Sequence, residues 1–206
     1  MKARTHMDQL ENTTRTHAPC RSSENGRDLH IGTPFRHHIF LIGFMGTGKT
    51  TIAQRISTMF AMEMVEMDET IAQRAGMSIS DIFETYGESR FRELETRLVM
   101  ELQGKNNAVI SCGGGTPLRE NNVKAMKKSG TIVLLTASPE TIHERVKDSH
   151  DRPILESNKS VSFIAELMEQ RREKYESAAD FIIETDGKSE REICEELAKK
   201  LTEGEL

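Results

Sequence analysis

With 206 residues, a formal net charge of −5 and a pI near 5.9, the chain is sized for one domain plus a tail, and it lacks the basic balance of a general nucleic-acid or membrane-surface binder. Three cysteines (Cys20, Cys112, Cys194), odd in number, widely spaced and outside any metal motif, read as incidental thiols of a reduced, cytoplasmic protein. No apolar run approaches the ~20 residues that span a bilayer, and no secretory apolar region follows the N-terminus.

Residues 1–37 are polar and show no sustained periodicity, so they cannot bury enough apolar surface to offset their ordering entropy; a disordered extension is expected. Four of the seven histidines fall here (His6, His17, His30, His37), and His38 follows directly as a fifth in the same polar cluster. His17-x-x-Cys20 hints at a metal, but no second ligand pair follows, which favours a solvated tail. Asp8, Glu11, Glu24 and Asp28 interrupt the basic character that an organelle transit peptide needs, and Met7 offers an alternative start.

The apolar run 39–42 predicts a short buried strand, and residues 49–59 carry apolar positions at helical spacing. Between them Gly43-Phe44-Met45-Gly46-Thr47-Gly48-Lys49-Thr50 fits G-x-x-x-x-G-K-[ST]. Strand, glycine-rich loop and helix N-terminus together aim backbone N–H groups into one concavity that suits phosphate. Lys49 then reaches the β- and γ-phosphates and the Thr50 hydroxyl ligates Mg²⁺, which makes this a nucleoside triphosphate site.

A second strand, 62–67, carries Glu66 and leads through Asp68 into a helix over 69–75. The two carboxylates, two residues apart on a strand, share a face. Asp68 also stands where a helix cap would, but a cap leaves the second acid unexplained. Beside a phosphate site the pair suits Mg²⁺ held through water and a proton accepted from a substrate hydroxyl. Helices are expected over 78–83 and 87–103, the latter with Phe91, Leu94, Leu98 and Leu102 as a buried stripe. Arg92 and Glu95 lie on another face, as a surface ion pair or as an arginine fork braced by Glu95 for a substrate carboxylate.

The third strand, 108–112, runs into Cys112-Gly113-Gly114-Gly115-Thr116. Three glycines make either a wide turn or a place where a ligand meets backbone N–H groups; their position beside the phosphate loop favours the ligand. A helix over 119–128, a strand over 131–136 and a helix over 139–148 starting at Ser138-Pro139 follow. The polar segment near 148–160, with Arg152 as a phosphate partner, reads as a mobile lid or a plain surface loop. A helix over 160–178, a strand over 181–184 and a helix over 189–203 complete a parallel sheet covered on both faces, with ligands expected at the C-terminal strand ends.

Taken together, Gly43–Thr50, Asp68, Phe91-Arg92-x-x-Glu95, Gly113-Gly114-Gly115, Arg152-Pro153-Ile154-Leu155 and Arg171-x-x-x-Tyr175 resemble the shikimate kinase family over residues 39–201. The segment from Ala72 to Phe83 is similar as well. The resemblance implies a three-layer α/β/α P-loop kinase fold, sheet order 2-3-1-4-5, in a domain of residues 38–206. It implies transfer of the ATP γ-phosphoryl group to the 3-hydroxyl of shikimate, on the route to chorismate and aromatic amino acids, with ATP and Mg²⁺; for an acidic, compact kinase of this size a monomer is expected, in the cytoplasm that the cysteines suggest. Catalytic roles fall on Lys49, Asp68 and Arg152, and ATP on Gly46, Thr47, Gly48, Lys49, Thr50, Thr51, Arg145 and Arg152, with 186–189 beside adenine. Shikimate falls on Asp68, Arg92, Gly113, Gly114, Gly115 and Arg171, and Mg²⁺ on Thr50 and, through water, Glu66. The family's acid at position 66 is Asp, so Glu66 is a departure that shifts the metal's surroundings. Rival readings are another small P-loop kinase, for gluconate or a nucleoside monophosphate, and a non-catalytic nucleotide- or shikimate-sensing module.

Overall fold

The computed structural model describes residues 35, 37–104, 107–148 and 158–203. Five strands, β1 (His38–Ile42), β2 (Glu63–Glu66), β3 (Ala108–Ser111), β4 (Gly130–Thr136) and β5 (Phe181–Glu184), form a parallel sheet in the order β2-β3-β1-β4-β5. The helices are α1 (Lys49–Phe60), α2 (Met67–Ala75), α3 (Ile79–Leu102), α4 (Glu120–Ser129), α5 (Pro139–Val146), α6 (Val161–Ala178) and α7 (Glu190–Glu203), with a 3₁₀ turn at Thr116–Leu118. None of the described helices is long and apolar enough to cross a membrane.

The central strand explains the layering. Every residue of β1 is buried, as a strand covered on both faces requires. Alternate side chains serve opposite cores. Phe40 and Ile42, with Ile110, Ile132 and Leu134, pack towards α3, α4 and α6, whereas Ile39 and Leu41, with Val109, Val133 and Ile183, pack towards α1 and α7. The expected stripe of α3 holds, with Phe91, Leu98 and Leu102 buried and Leu94 packed against them. Cys112 and Cys194 are buried within these cores, and burial pushes both thiols up, Cys194 to about 11; Cys20 lies outside the described residues.

Several expectations need adjusting. The two helices expected over 78–83 and 87–103 form one element, α3, kinked where Gly87 adopts φ 79°, ψ 165°. Ser78 opens it with a capping box, accepting from the Asp81 N–H while Asp81 accepts from the Ser78 N–H. α2 begins at Met67, so its cap is Glu66, which accepts the Glu69 N–H at 2.8 Å, and Asp68 belongs to the first helical turn rather than to the strand. Most of the expected lid, 149–157, and nearly all of the N-terminal extension lie outside the described residues.

Two residues near position 37 belong to the folded unit. Phe35 is buried edge-on against Phe60, with ring centroids 5.1 Å apart. His38, grouped above with the tail histidines, is fully buried. Its Nδ1 accepts the Ala108 N–H at 3.3 Å, and its Nε2 reaches the Leu102 carbonyl at 2.7 Å, which fixes a neutral ring with the hydrogen on Nε2. One side chain thus pins the end of α3 and the start of β3 to the central strand. His38→Leu keeps the apolar bulk but strands both backbone groups, so we expect a loss of about 2–4 kcal/mol in urea unfolding with an unchanged denaturant slope.

Candidate active site

The loop between β1 and α1 lies at the C-terminal edge of the sheet, beside the ends of β2 and β3. Lys49 folds back over this loop, its ammonium donating to the Gly43 and Phe44 carbonyls at 3.0 and 2.9 Å. Thr47 is turned inward, its hydroxyl donating to the Phe44 carbonyl at 2.8 Å, so its side chain braces the loop and does not face the cleft. Arg145, from α5, donates to the Gly46 carbonyl at 3.0 Å and lies 3.4 Å from the Thr185 hydroxyl. Beside it Asp186 accepts the Ser138 N–H at 2.7 Å; although desolvation opposes it, this bond helps hold the carboxyl below its ordinary range.

A cleft of about 780 Å³ opens over the loop. Of the residues expected in the site, Gly46, Gly48, Lys49, Thr50, Thr51, Glu66, Asp68, Arg92, Gly114, Gly115, Arg145 and Arg171 line it. Thr47 and Gly113 stand behind its wall, and Arg152 lies outside the described residues.

The glycine triplet has a reason not visible in its own sequence. A Cβ on Gly115 would overlap the Arg92 guanidinium, and a Cβ on Gly113 would come within 2.5 Å of Glu95 and 2.6 Å of Asp68. The backbone is bare there because the site's own charged side chains lie against it. Tyr175 adds a third restraint, its hydroxyl donating to the Gly114 carbonyl at 2.6 Å and bonding to Arg171 one turn away. Arg171 stacks on Phe44 of the phosphate loop, 5.7 Å from the ring centroid.

Arg92 is held on every side. Nη1 donates to the fully buried Glu95 at 2.8 Å, Nε and Nη2 donate to Glu88 at 3.1 and 2.7 Å, and the rings of Phe91 and Phe83 lie 5.4 and 5.9 Å away. Glu95 also accepts the Thr116 hydroxyl at 2.8 Å. Burial lifts the Glu95 carboxyl above the ordinary carboxylate range against the pull of Arg92, whereas for Arg92 the two carboxylates outweigh burial and hold the guanidinium protonated. The pair is ionic at neutral pH, because a guanidinium does not release its proton and two donors satisfy the carboxylate.

The sequence reading missed Ser111, the last residue of β3, whose hydroxyl lies 3.3 Å from that of Thr50 and hydrogen-bonds to Glu66. Its signal was a lone polar residue ending the apolar run Ala108–Ser111. It also missed the apolar patch of Ile79, Phe83 and Phe91 on the same cleft. Burial raises the Glu66 carboxyl, as does neighbouring Asp68, while Lys49 works the other way. The hydroxyls of Thr50 and Ser111 and the Glu66 carboxylate form an all-oxygen set beside the phosphate loop, which fits Mg²⁺. Among the described residues no three His, Cys, Asp or Glu side chains converge as a cage, so such an ion would take the rest of its shell from water and phosphate oxygens.

Known proteins resemble this chain in sequence and fold. A family model described as shikimate kinase matches residues 45–202. The chain is 41% identical over 163 residues to a shikimate kinase of Thermodesulfovibrio yellowstonii, covering 79% of this chain and 94% of that one. It is 40% identical over 161 residues to that of Geobacter sulfurreducens, covering 78% and 88%. Among solved structures, a shikimate kinase from Acinetobacter baumannii in complex with shikimate superposes with a TM-score of 0.78 at 28% identity, over 82% of this chain and 95% of that one. That from Aquifex aeolicus superposes with a TM-score of 0.72 at 37% identity, over 82% and 98%.

The raised Glu95 carboxyl has a measurable sign. A carboxyl whose folded pKa exceeds its unfolded value favours the fold below that value, and the contribution is lost as pH rises through the folded pKa. Glu95→Gln cannot ionise, so in urea unfolding followed from pH 4.5 towards neutrality the stability of the parent is expected to fall relative to the variant. An identical slope in both would contradict the shift.

Proposed function

The chain belongs to the shikimate kinase family, and from that premise we propose that it transfers the γ-phosphoryl group of ATP to the 3-hydroxyl of shikimate, giving shikimate 3-phosphate and ADP. The observation that carries the proposal is a single cleft with a phosphate loop on one wall and, on the other, Asp68 and Arg92 packed against Gly113 and Gly115, with Arg171 across from them. Such a cleft suits an acceptor with a carboxylate at one end and a hydroxyl at the other.

Arg92 and Arg171 take the carboxylate, while Asp68 and the backbone of Gly114 and Gly115 take the ring hydroxyls. Asp68 orients the 3-hydroxyl; as its oxygen bonds to the γ-phosphorus and the bond to the bridging oxygen of ADP breaks, the carboxylate accepts the proton. Lys49 exchanges the two loop carbonyls for β- and γ-phosphate oxygens. Gly46, Gly48 and Thr51 face the remaining phosphates, and Arg145 with residues 186–189 flanks adenine. Arg152, on the family pattern, adds positive charge from the segment near 148–160. Thr50 and, through water, Glu66 would hold Mg²⁺, which would supply positive charge against the phosphates. We take a monomer as the acting unit, on the chain's size and acidic charge, and place the reaction in the cytoplasm.

The test is ADP release with Mg·ATP and shikimate, gluconate or a nucleoside monophosphate as acceptor. Turnover is expected with shikimate alone, with kcat lowered about 10²–10⁴-fold in Asp68→Asn. No shikimate-dependent ADP release from folded, ATP-binding protein would move the assignment to another acceptor or to a sensing module. Glu66→Asp, which shortens the carboxylate, is expected to shift the Mg²⁺ activation curve; an unchanged curve would remove Glu66 from the metal's surroundings.

A further inference from the structure

Glu88 carries no role in the scheme above, yet it makes two of the three hydrogen bonds that fix Arg92. It follows Gly87, the residue at which α3 leaves helical geometry and resumes it. An exposed i,i+4 ion pair ordinarily contributes little. Here the pair is lopsided: the Glu88 side chain is 59% exposed, but the Arg92 side chain is only 11% exposed and its other carboxylate partner, Glu95, has no exposure at all.

A guanidinium has five N–H groups in a rigid plane. Nε–H and one Nη2–H go to Glu88, and one Nη1–H goes to Glu95. Among the described residues, that leaves one hydrogen on Nη1 and one on Nη2, which a carboxylate can accept together. The Gly115 backbone beneath the plane and the Phe83 and Phe91 rings beside it oppose tilting. Glu95 alone fixes one corner of the fork and leaves rotation about it; Glu88 fixes the opposite edge. We propose that Glu88 is a positioning residue for the acceptor: with Glu95 it clamps Arg92 so that the remaining Nη1–H and Nη2–H are presented to the substrate carboxylate. The inference rests on the assignment of Arg92 to that carboxylate.

A second carboxylate beside Arg92 also has a cost, since it repels the incoming anion, so the opposite behaviour is conceivable: Glu88 as a competitor that the substrate must displace. The two roles predict opposite signs. The experiment uses the full chain and its Glu88→Ala and Glu88→Gln variants, with initial rates against shikimate and against ATP and calorimetric titration of shikimate. For Glu88→Ala we expect KM and Kd for shikimate to rise about tenfold, the scale of one hydrogen bond to a charged group, with kcat within about twofold and KM for ATP unchanged. Glu88→Gln keeps an oxygen acceptor for Arg92 and is expected to recover most of the affinity. Unchanged or tighter shikimate binding in Glu88→Ala overturns the inference, as does an equal loss towards ATP. Shikimate binding and turnover by the parent chain are measured alongside; their absence would overturn the assignment of the site itself, and this inference with it.

Discussion

A carboxylate with no access to water holds the acceptor side of the site together. Glu95 sits on α3, yet its two oxygens reach Arg92 one turn back and Thr116 beyond β3, and it lies against the backbone of Gly113. Taking a carboxylate out of water is expensive unless donors replace the lost hydration, and removing one partner of such a pair leaves an uncompensated buried charge. The arrangement is therefore all-or-none: helix, strand end and turn must arrive together, or the charge is stranded. Thr116 in turn offers its carbonyl to the Asn122 amide at 3.0 Å, which carries the same restraint into α4. An interaction that contributes little net stability thereby specifies one geometry.

The sheet supplies the rest. Because β1 lies between β3 and β4, the phosphate loop and the glycine turn leave the sheet side by side, and β2 brings Glu66 and Asp68 in from the far side of β3. Among the described residues, contacts between the two halves include Thr50 with Ser111 and Arg171 over Phe44, while Tyr175, bonded to Gly114 and Arg171, braces the acceptor side. Relative placement of the two substrates, on which phosphoryl transfer depends more than on covalent chemistry, is set by these contacts.

Much of this was legible in the sequence, unevenly. β1, β3 and β4 stood out because a strand buried on both faces must be apolar throughout, and the phosphate loop because strand, glycines and helix occur in order. The strand order came with the family likeness and not from any residue pattern. Boundaries failed where a side chain took an unusual role. Cap preferences favour Asp over Glu, so Asp68 was the natural choice, but the longer Glu66 side chain folds back onto the Glu69 N–H. His38 looked like part of a histidine-rich tail because composition cannot distinguish a solvated ring from one whose two nitrogens are both matched to backbone groups. The triplet's glycines suggested a ligand at the backbone; what crowds Gly113 and Gly115 is the protein's own Arg92, Asp68 and Glu95, contacts set by tertiary structure alone.

Two cations of the site, Lys49 and Arg92, are prepared in different ways. Lys49 donates to neutral carbonyl oxygens of the loop itself. An anionic phosphate oxygen is a better acceptor than a carbonyl, so on the proposed assignment these contacts would be exchanged at a gain, while braces of the loop such as the Thr47 hydroxyl are separate. Arg92 rests on carboxylates, which a substrate carboxylate cannot outbid, and among the described residues one hydrogen on each of Nη1 and Nη2 is left over. A flexible ammonium suits the first mode, since it must follow a phosphate through transfer. A rigid planar fork suits the second, since the acceptor must be held in one place while its hydroxyl reacts. The division of labour between Lys49 and Arg92 thus follows from what each side chain loses on being held still.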